Sequence, residues 1–174
     1  MNSSRAIRLA AIFLVLVFTA GCDQATKQLA RSQLGQSGTT ILPGGFIELG
    51  LAENPGAFLS LGASLPAVLR QGLLTVGVAV GLALVLFRLL GVAEMRKRYF
   101  LGWLLVWAGG MSNLYDRLAH HGLVTDFIMV HAGPFHTGIF NLADMAIMAG
   151  LAVLVLAKGS QLFGSNRPTR SGDA

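Results

Sequence analysis

Ile139-Phe140-Asn141-Leu142-Ala143-Asp144 opens an almost wholly apolar stretch that runs to Ala157 and is long enough to cross a bilayer. Asn141 and Asp144 stand in its first turn or two, three residues apart and so on one face of a helix. An ionised Asp at the centre of a bilayer costs about 2.5–3.5 kcal/mol on insertion scales. Its favoured place is therefore near the membrane surface, facing other protein. A carboxylate so placed is a functional candidate by default. Polar partners lie upstream: Asp126 in the preceding loop, and Asn113, Asp116 and Arg117 where the previous apolar stretch ends.

The whole chain has the same bias. Its 174 residues are 53% hydrophobic and only 12% charged, about half the charge of a soluble domain. The mean hydropathy is +0.64. This composition describes an integral membrane protein of one domain, packed between helices. A net charge of +5 does not point to nucleic acid, because the cations flank apolar spans and form no soluble basic face. The single cysteine, Cys22, excludes an internal disulfide.

Four apolar spans are expected, at about 7–22, 69–87, 99–114 and 139–157. Gly72, Gly77 and Gly81 in the second would permit close helix contact, although for any one of them lipid-facing filler is the plainer reading. Arg5, Arg8, Arg88, Arg96, Lys97, Arg98, Lys158, Arg167 and Arg170 fall on one side of these spans. Lys27, Arg31, Arg70 and Arg117 fall on the other. The richer side is expected to be cytoplasmic. Both termini are then inside, and segments 23–68 and 115–138 face outward. Residues 1–158 form the membrane domain. The polar tail, 159–174, reads as disordered and cytoplasmic.

Thr19-Ala20-Gly21-Cys22 ends the first span and resembles a lipoprotein cleavage site. Thr19 stands where such sites have Leu, and three more spans follow, so an uncleaved first span is the better reading. In the outer segment, Phe46 to Leu51 alternates partially, after Gly44-Gly45. Asn54-Pro55-Gly56 reads as a turn, with Pro presetting one φ and Gly accepting a positive one. A small antiparallel hairpin on the outer membrane surface is expected there.

The acidic residues are not scattered. Asp23, Asp116, Asp126 and Asp144 all fall at or just beyond the outward end of a span, and Glu48 and Glu53 lie in the hairpin segment. Asp23 and Lys27, four apart, suit a local ion pair that supports the first helix. Asn113, Asp116 and Arg117 share a helical face, and an Asp–Arg pair there suits support or substrate positioning. Asp126 is set among Val124, Phe127 and Ile128, so its sequence favours burial. Two buried neighbouring carboxylates share a proton, and such a pair can activate water against an amide. The plainer alternative has Asp126 capping a short helix and Asp144 bonded to Asn113 or Arg117. Both readings stand on these grounds. His120, His121, His131 and His136 share the outer loop but lack metal-site spacing, and read as interfacial histidines.

The residues nevertheless resemble one family throughout. Asp23-Gln-Ala-Thr26-Lys27, Asn54-Pro55-Gly56-Ala57-Phe58, Asn113-Leu-Tyr-Asp116-Arg117, Val124-Thr125-Asp126-Phe127-Ile128 and Phe140-Asn141-Leu142-Ala143-Asp144 are similar, in order and spacing, to the motifs of bacterial signal peptidase II. The resemblance implies an all-α integral membrane protein of four transmembrane helices with a small outward-facing β hairpin or cradle. It implies a membrane aspartyl endopeptidase that cuts prolipoproteins before a diacylglyceryl-modified Cys. Asp126 and Asp144 would be the catalytic pair. Asn54, Gly56, Asn113, Asp116, Arg117 and Asn141 would line or orient the site, with Asp23 and Lys27 in support. No metal or organic cofactor is implied, and the expected state is a monomer in the bacterial inner membrane with its site at the outer face. One departure is visible: Ala108 and Ser112 replace two glycines of the family's Gly-rich stretch before Asn113. The competing reading, from another class, is a non-catalytic polytopic assembly or transport subunit.

Overall fold

The structure, a computed structural model, describes residues 3–57, 62–91 and 95–164, without the side chains of 3, 4, 36, 37 and 160–164. Three helical stretches are long and apolar enough to cross a membrane: Arg5–Gly35, Ala67–Gly91 and Leu142–Gly159. They belong to α1 (Ser3–Ser37), to α2 (Ala67–Gln71) with a π-helical stretch (Gly72–Gly77) and α3 (Val78–Gly91), and to α5 (Leu142–Gly164). Their outer faces carry Phe18, Phe87, Val155 and Leu156, each at least 70% exposed, which suits hydrocarbon as solvent. A fourth long helix, α4 (Lys97–Ala119), packs against α1, α3 and α5. It is not among the stretches apolar enough to cross a membrane, and it carries Asn113, Asp116 and Arg117, all buried.

Small residues let α4 and α5 approach closely. A Cβ on Gly150 would lie 2.6 Å from the Gly102 carbonyl oxygen, and one on Gly102 would lie 2.7 Å from Leu154. Seven residues along each helix, a Cβ on Gly109 would collide with the Ala143 carbonyl. The glycines of the second span do not have this role: Gly72 and Gly81 have nothing within 4 Å of an added Cβ. Both are exposed.

A four-stranded antiparallel sheet lies at one end, in the order β1 (Thr40–Ile41), β2 (Ile47–Asn54), β3 (Val124–Ala132), β4 (Phe135–His136). The expected hairpin is there, but the main partner of β2 is β3, from the other outer segment. Asp126 is therefore a strand residue, neither in a loop nor capping a helix. Ala52 pairs with Asp126 and Asn54 with Val124, beyond an irregularity in register between Leu49 and Ala52. Asn54 and Asp126 are thus diagonal neighbours on one face. The 54–56 turn is closed by the Asn54 side chain, whose Oδ1 accepts from the Gly56 N–H at 2.8 Å, an Asx-type turn. Gly56 is not among the positive-φ glycines of the described residues.

Two boundaries differ from the sequence reading. Asn141 precedes α5 as its N-cap: its Oδ1 accepts from the Asp144 N–H at 2.9 Å, and Asp144 accepts from the Asn141 N–H at 3.3 Å. This reciprocal pair is a capping box. α5 also continues to Gly164, through the first residues assigned to the tail, because Gly159 alone costs only about 1 kcal/mol in a helix. Residues 165–174 lie outside the described residues, as do Phe58, Glu94 and Asp173.

Candidate active site

Eleven polar or charged side chains are buried among the described residues. Nine are Asp23, Lys27, Asn54, Asn113, Asp116, Arg117, Asp126, Asn141 and Asp144. The others are Ser112 and Thr125, to which the sequence reading gave no role in the site. Gly56, the tenth residue singled out in the sequence, is buried as well. Burial without partners would be costly for each, and the hydrogen bonds show how that cost is met.

Asn141 joins the two carboxylates. Its Nδ2 donates to Asp126 Oδ1 at 2.6 Å, while its Oδ1 and N–H hold Asp144 through the cap. The other Asp126 oxygen accepts from Asn54 Nδ2 at 2.8 Å. Asp144 Oδ1 accepts from Asn113 Nδ2 at 2.8 Å. Burial pushes the Asp126 carboxyl up to about 6, and the nearby Asp144 charge pushes the same way. The bonds from Asn54 and Asn141 and the charge of Lys27 pull against this.

Beneath the pair lies a fully buried ammonium. Lys27 Nζ is 2.6 Å from Asp23 and 2.9 Å from Asp116, and donates to Asn113 Oδ1 at 3.0 Å. An ammonium can only donate, so it turns the Asn113 amide to present Nδ2 to Asp144. The expected Asp23–Lys27 pair is therefore real, but it is also part of the wiring of the site. The expected Asp116–Arg117 pair does not form: adjacent helical positions do not face each other. Asp116 accepts from Lys27, Gln24 and the Thr125 N–H. Arg117 donates instead to the Gly56 carbonyl at 2.8 Å and the Asn113 carbonyl at 3.4 Å. Its Nε is the one buried side-chain polar atom without a partner among the described residues. The same side chain lines a cavity of about 530 Å³ with Gln71, Thr75 and His121.

Ser112 and Thr125 tie elements together. Ser112 Oγ donates to Asp23 Oδ2 at 2.7 Å, and Asp23 Oδ1 accepts the Ala143 N–H at 2.9 Å, in the first turn of α5. The Thr125 hydroxyl accepts from Arg31 and donates to Glu53 at 3.3 Å. Of the histidines, His131 pairs with Glu48 on the sheet at 2.8 Å. His121 takes a positive φ in the turn that ends α4. Neither touches the carboxylate pair.

The chain as a whole is similar to known proteins. The family model for Signal peptidase (SPase) II matches residues 13–158. The chain belongs to the signal peptidase II family. Relatives named lipoprotein signal peptidase include one from Aquifex aeolicus, 34% identical over 134 residues, covering 77% of each chain. Another, from Desulforapulum autotrophicum, is 31% identical over 156 residues, covering 89% of this chain and 93% of that one. In fold, the chain is similar to a bacterial membrane enzyme solved in meso, with a TM-score of 0.75 at 19% identity over 95% of this chain and 94% of that one. As a signal peptidase II the chain is a protease, and the reading as a non-catalytic subunit falls. Ser112, read from the sequence only as a departure from a Gly-rich stretch, bonds to Asp23, which in turn holds the Ala143 N–H in the first turn of α5.

Proposed function

We propose that this chain removes signal peptides from prolipoproteins, cutting before the diacylglyceryl-modified Cys, with Asp126 and Asp144 as the water-activating pair. The observation that carries this reading is Asn141 bonding to both carboxylates in a buried, shared setting. Both Asp126 oxygens accept short amide bonds, which suit an ionised carboxylate. The longer 3.3 Å contact at Asp144 Oδ2 leaves that oxygen as the place for a shared proton. Asp126 then takes a proton from water, and the water oxygen attacks the scissile carbonyl carbon. Asp144 donates a hydrogen bond to the carbonyl oxygen as it gains charge. The proton passes to the leaving nitrogen as the C–N bond breaks.

Arg117, held by the Gly56 carbonyl, keeps an unpartnered Nε–H that would serve a substrate carbonyl oxygen as donor. Asn54, Gly56 and Asn113 hold the site, and Asp23, Lys27 and Asp116 fix its floor. The nine-to-four division of cations supports an inner-membrane enzyme with both termini cytoplasmic and the site at the periplasmic face. With the site at that boundary, the lipid of the substrate stays in the bilayer while the amide reaches the pair. The chain acts as a monomer without a cofactor.

The test uses the purified full chain in detergent with a diacylated prolipoprotein. Wild type is expected to yield a product beginning at the lipidated Cys. Asp126→Asn and Asp144→Asn are expected to yield none while inserting and melting as folded proteins. Cleavage by either variant at the wild-type rate would refute the pair.

A further inference from the structure

The opposite end of the bundle carries a different chemistry. Arg5 and Arg8 on α1 are three residues apart and so neighbours on one face. They line a cavity of about 310 Å³ with Leu9, Phe87, Leu90 and Gly91. The Arg8 guanidinium sits 5.7 Å from the centroid of the Phe100 ring, an attraction that positions it. Leu9, Phe87 and Leu90 are 46%, 73% and 48% exposed, so the cavity has exposed hydrocarbon walls beside two cations.

A ligand that satisfies both parts must be an anion at one end and hydrocarbon at the other. Free phosphate gains nothing from Phe87 and Leu90. A zwitterionic lipid brings its own cation to a basic mouth. We propose that this cavity binds an anionic phospholipid, with the phosphate on Arg5 and Arg8 and the first acyl methylenes along Phe87 and Leu90. Guanidinium forks match phosphate oxygens in pairs, and basic pockets between membrane helices suit such headgroups. The walls come from α1 and α3, both of which pack on α4. The bound lipid therefore ties these two helices together away from the catalytic pair.

The experiment titrates dioleoylphosphatidylglycerol into the full chain in a neutral detergent and follows the melting temperature. Dioleoylphosphatidylcholine and glycerol phosphate are titrated in parallel. A saturable rise with phosphatidylglycerol alone is expected. Arg5→Gln with Arg8→Gln should weaken apparent affinity by roughly thirtyfold, about fivefold per arginine near a membrane surface. Arg98→Gln with Lys158→Gln removes the same charge from exposed positions outside the cavity and should leave affinity within about twofold. Gly91→Trp fills the cavity without changing charge, since nothing lies within 4 Å of an added Cβ, and should also abolish the rise. Three results would overturn the site: equal loss in the Arg98/Lys158 variant, an unchanged titration in Gly91→Trp, or an equal response to glycerol phosphate. The first would reduce it to diffuse surface charge, and the last to an anion site without a lipid.

Discussion

Asn54→Ala should move the acid limb of the activity profile upward, and the structure sets the size of the move. Asp126 stands at about 6, above its usual 3.8, chiefly through burial. The Asn54 amide bond opposes that rise by favouring the charged form. A hydrogen bond to a charged group is worth about 1.5–3 kcal/mol, and one pKa unit about 1.4 kcal/mol. Some of the loss returns when water enters the space left by the side chain. The acid limb of kcat/KM should therefore shift from about 6 to roughly 7. Asn54→Asp keeps an oxygen for the Gly56 N–H but sets a carboxylate against Asp126, so its limb should lie higher still. The same shift has a consequence for stability, with a definite sign. A carboxyl whose folded pKa is raised contributes stability that is fully present below its unfolded pKa, near 3.8, and is lost as pH rises through about 6. Ionised Asp126 thus costs the fold on the order of 3 kcal/mol at neutral pH. The assay is cleavage of a diacylated prolipoprotein between pH 4.5 and 9, with melting curves over the same range. A limb that stays put in Asn54→Ala, or moves to lower pH, would refute the assignment of that limb to Asp126.

Three other perturbations probe the supports. Lys27→Met leaves the Asp23 and Asp116 carboxylates buried without their cation, which costs about 3–5 kcal/mol and should lower the melting temperature by roughly 6–20 °C. Adding Asp116→Asn should recover part of that loss, as followed by the fluorescence of buried Trp107; no recovery would mean the ammonium acts on neither acid. Asn141→Ser keeps an N-cap but cannot reach Asp126, so melting should change by less than about 1 kcal/mol while cleavage falls at least about a hundredfold. A stable and active Asn141→Ser would remove the bridge from the mechanism. Gly109→Ala should separate α4 from α5 and lower both activity and stability, whereas Gly81→Ala, with open space around it, should be neutral or stabilising by up to about 1 kcal/mol. Equal effects of the two on melting would contradict the close α4–α5 approach.

The sequence made the polar positions legible for a physical reason. A charge in an apolar stretch is costly unless paired, so Asp23, Lys27, Asp126 and Asp144 declared themselves by their setting. Their partners did not. Lys27 reaches Asn113 and Asp116 across more than eighty residues, and no local pattern encodes that distance. Adjacency even misled: Asp116 and Arg117 look like a pair but point to different neighbours. β3 escaped notice because Val124 to Phe127 are all buried. A strand covered on both faces loses the alternation that gave β2 away. Ser112 was visible only as a missing glycine, since a hydroxyl in a helix carries no sign of what it will touch.

α4 shows why apolarity alone ranks the helices of this enzyme in the wrong order of importance. α1, α5 and the continuous stretch from α2 through α3 meet the length and apolarity of a membrane span, with apolar residues on their outer faces. α4 packs against all three, so its surface is turned to protein, and protein rewards different residues. Gly102 and Gly109 bring α5 close enough for the Asn113 amide to reach Asp144. Asn113, Asp116 and Arg117 can lie one turn further on because Lys27 and the Gly56 carbonyl are there to receive them. An apolar residue in place of Asn113, Asp116 or Arg117 would improve the fit of α4 to a bilayer it does not chiefly meet, and would take a partner from Asp144, Lys27 or the Gly56 carbonyl. The helix that looks least like a membrane span therefore carries the largest share of the site's wiring.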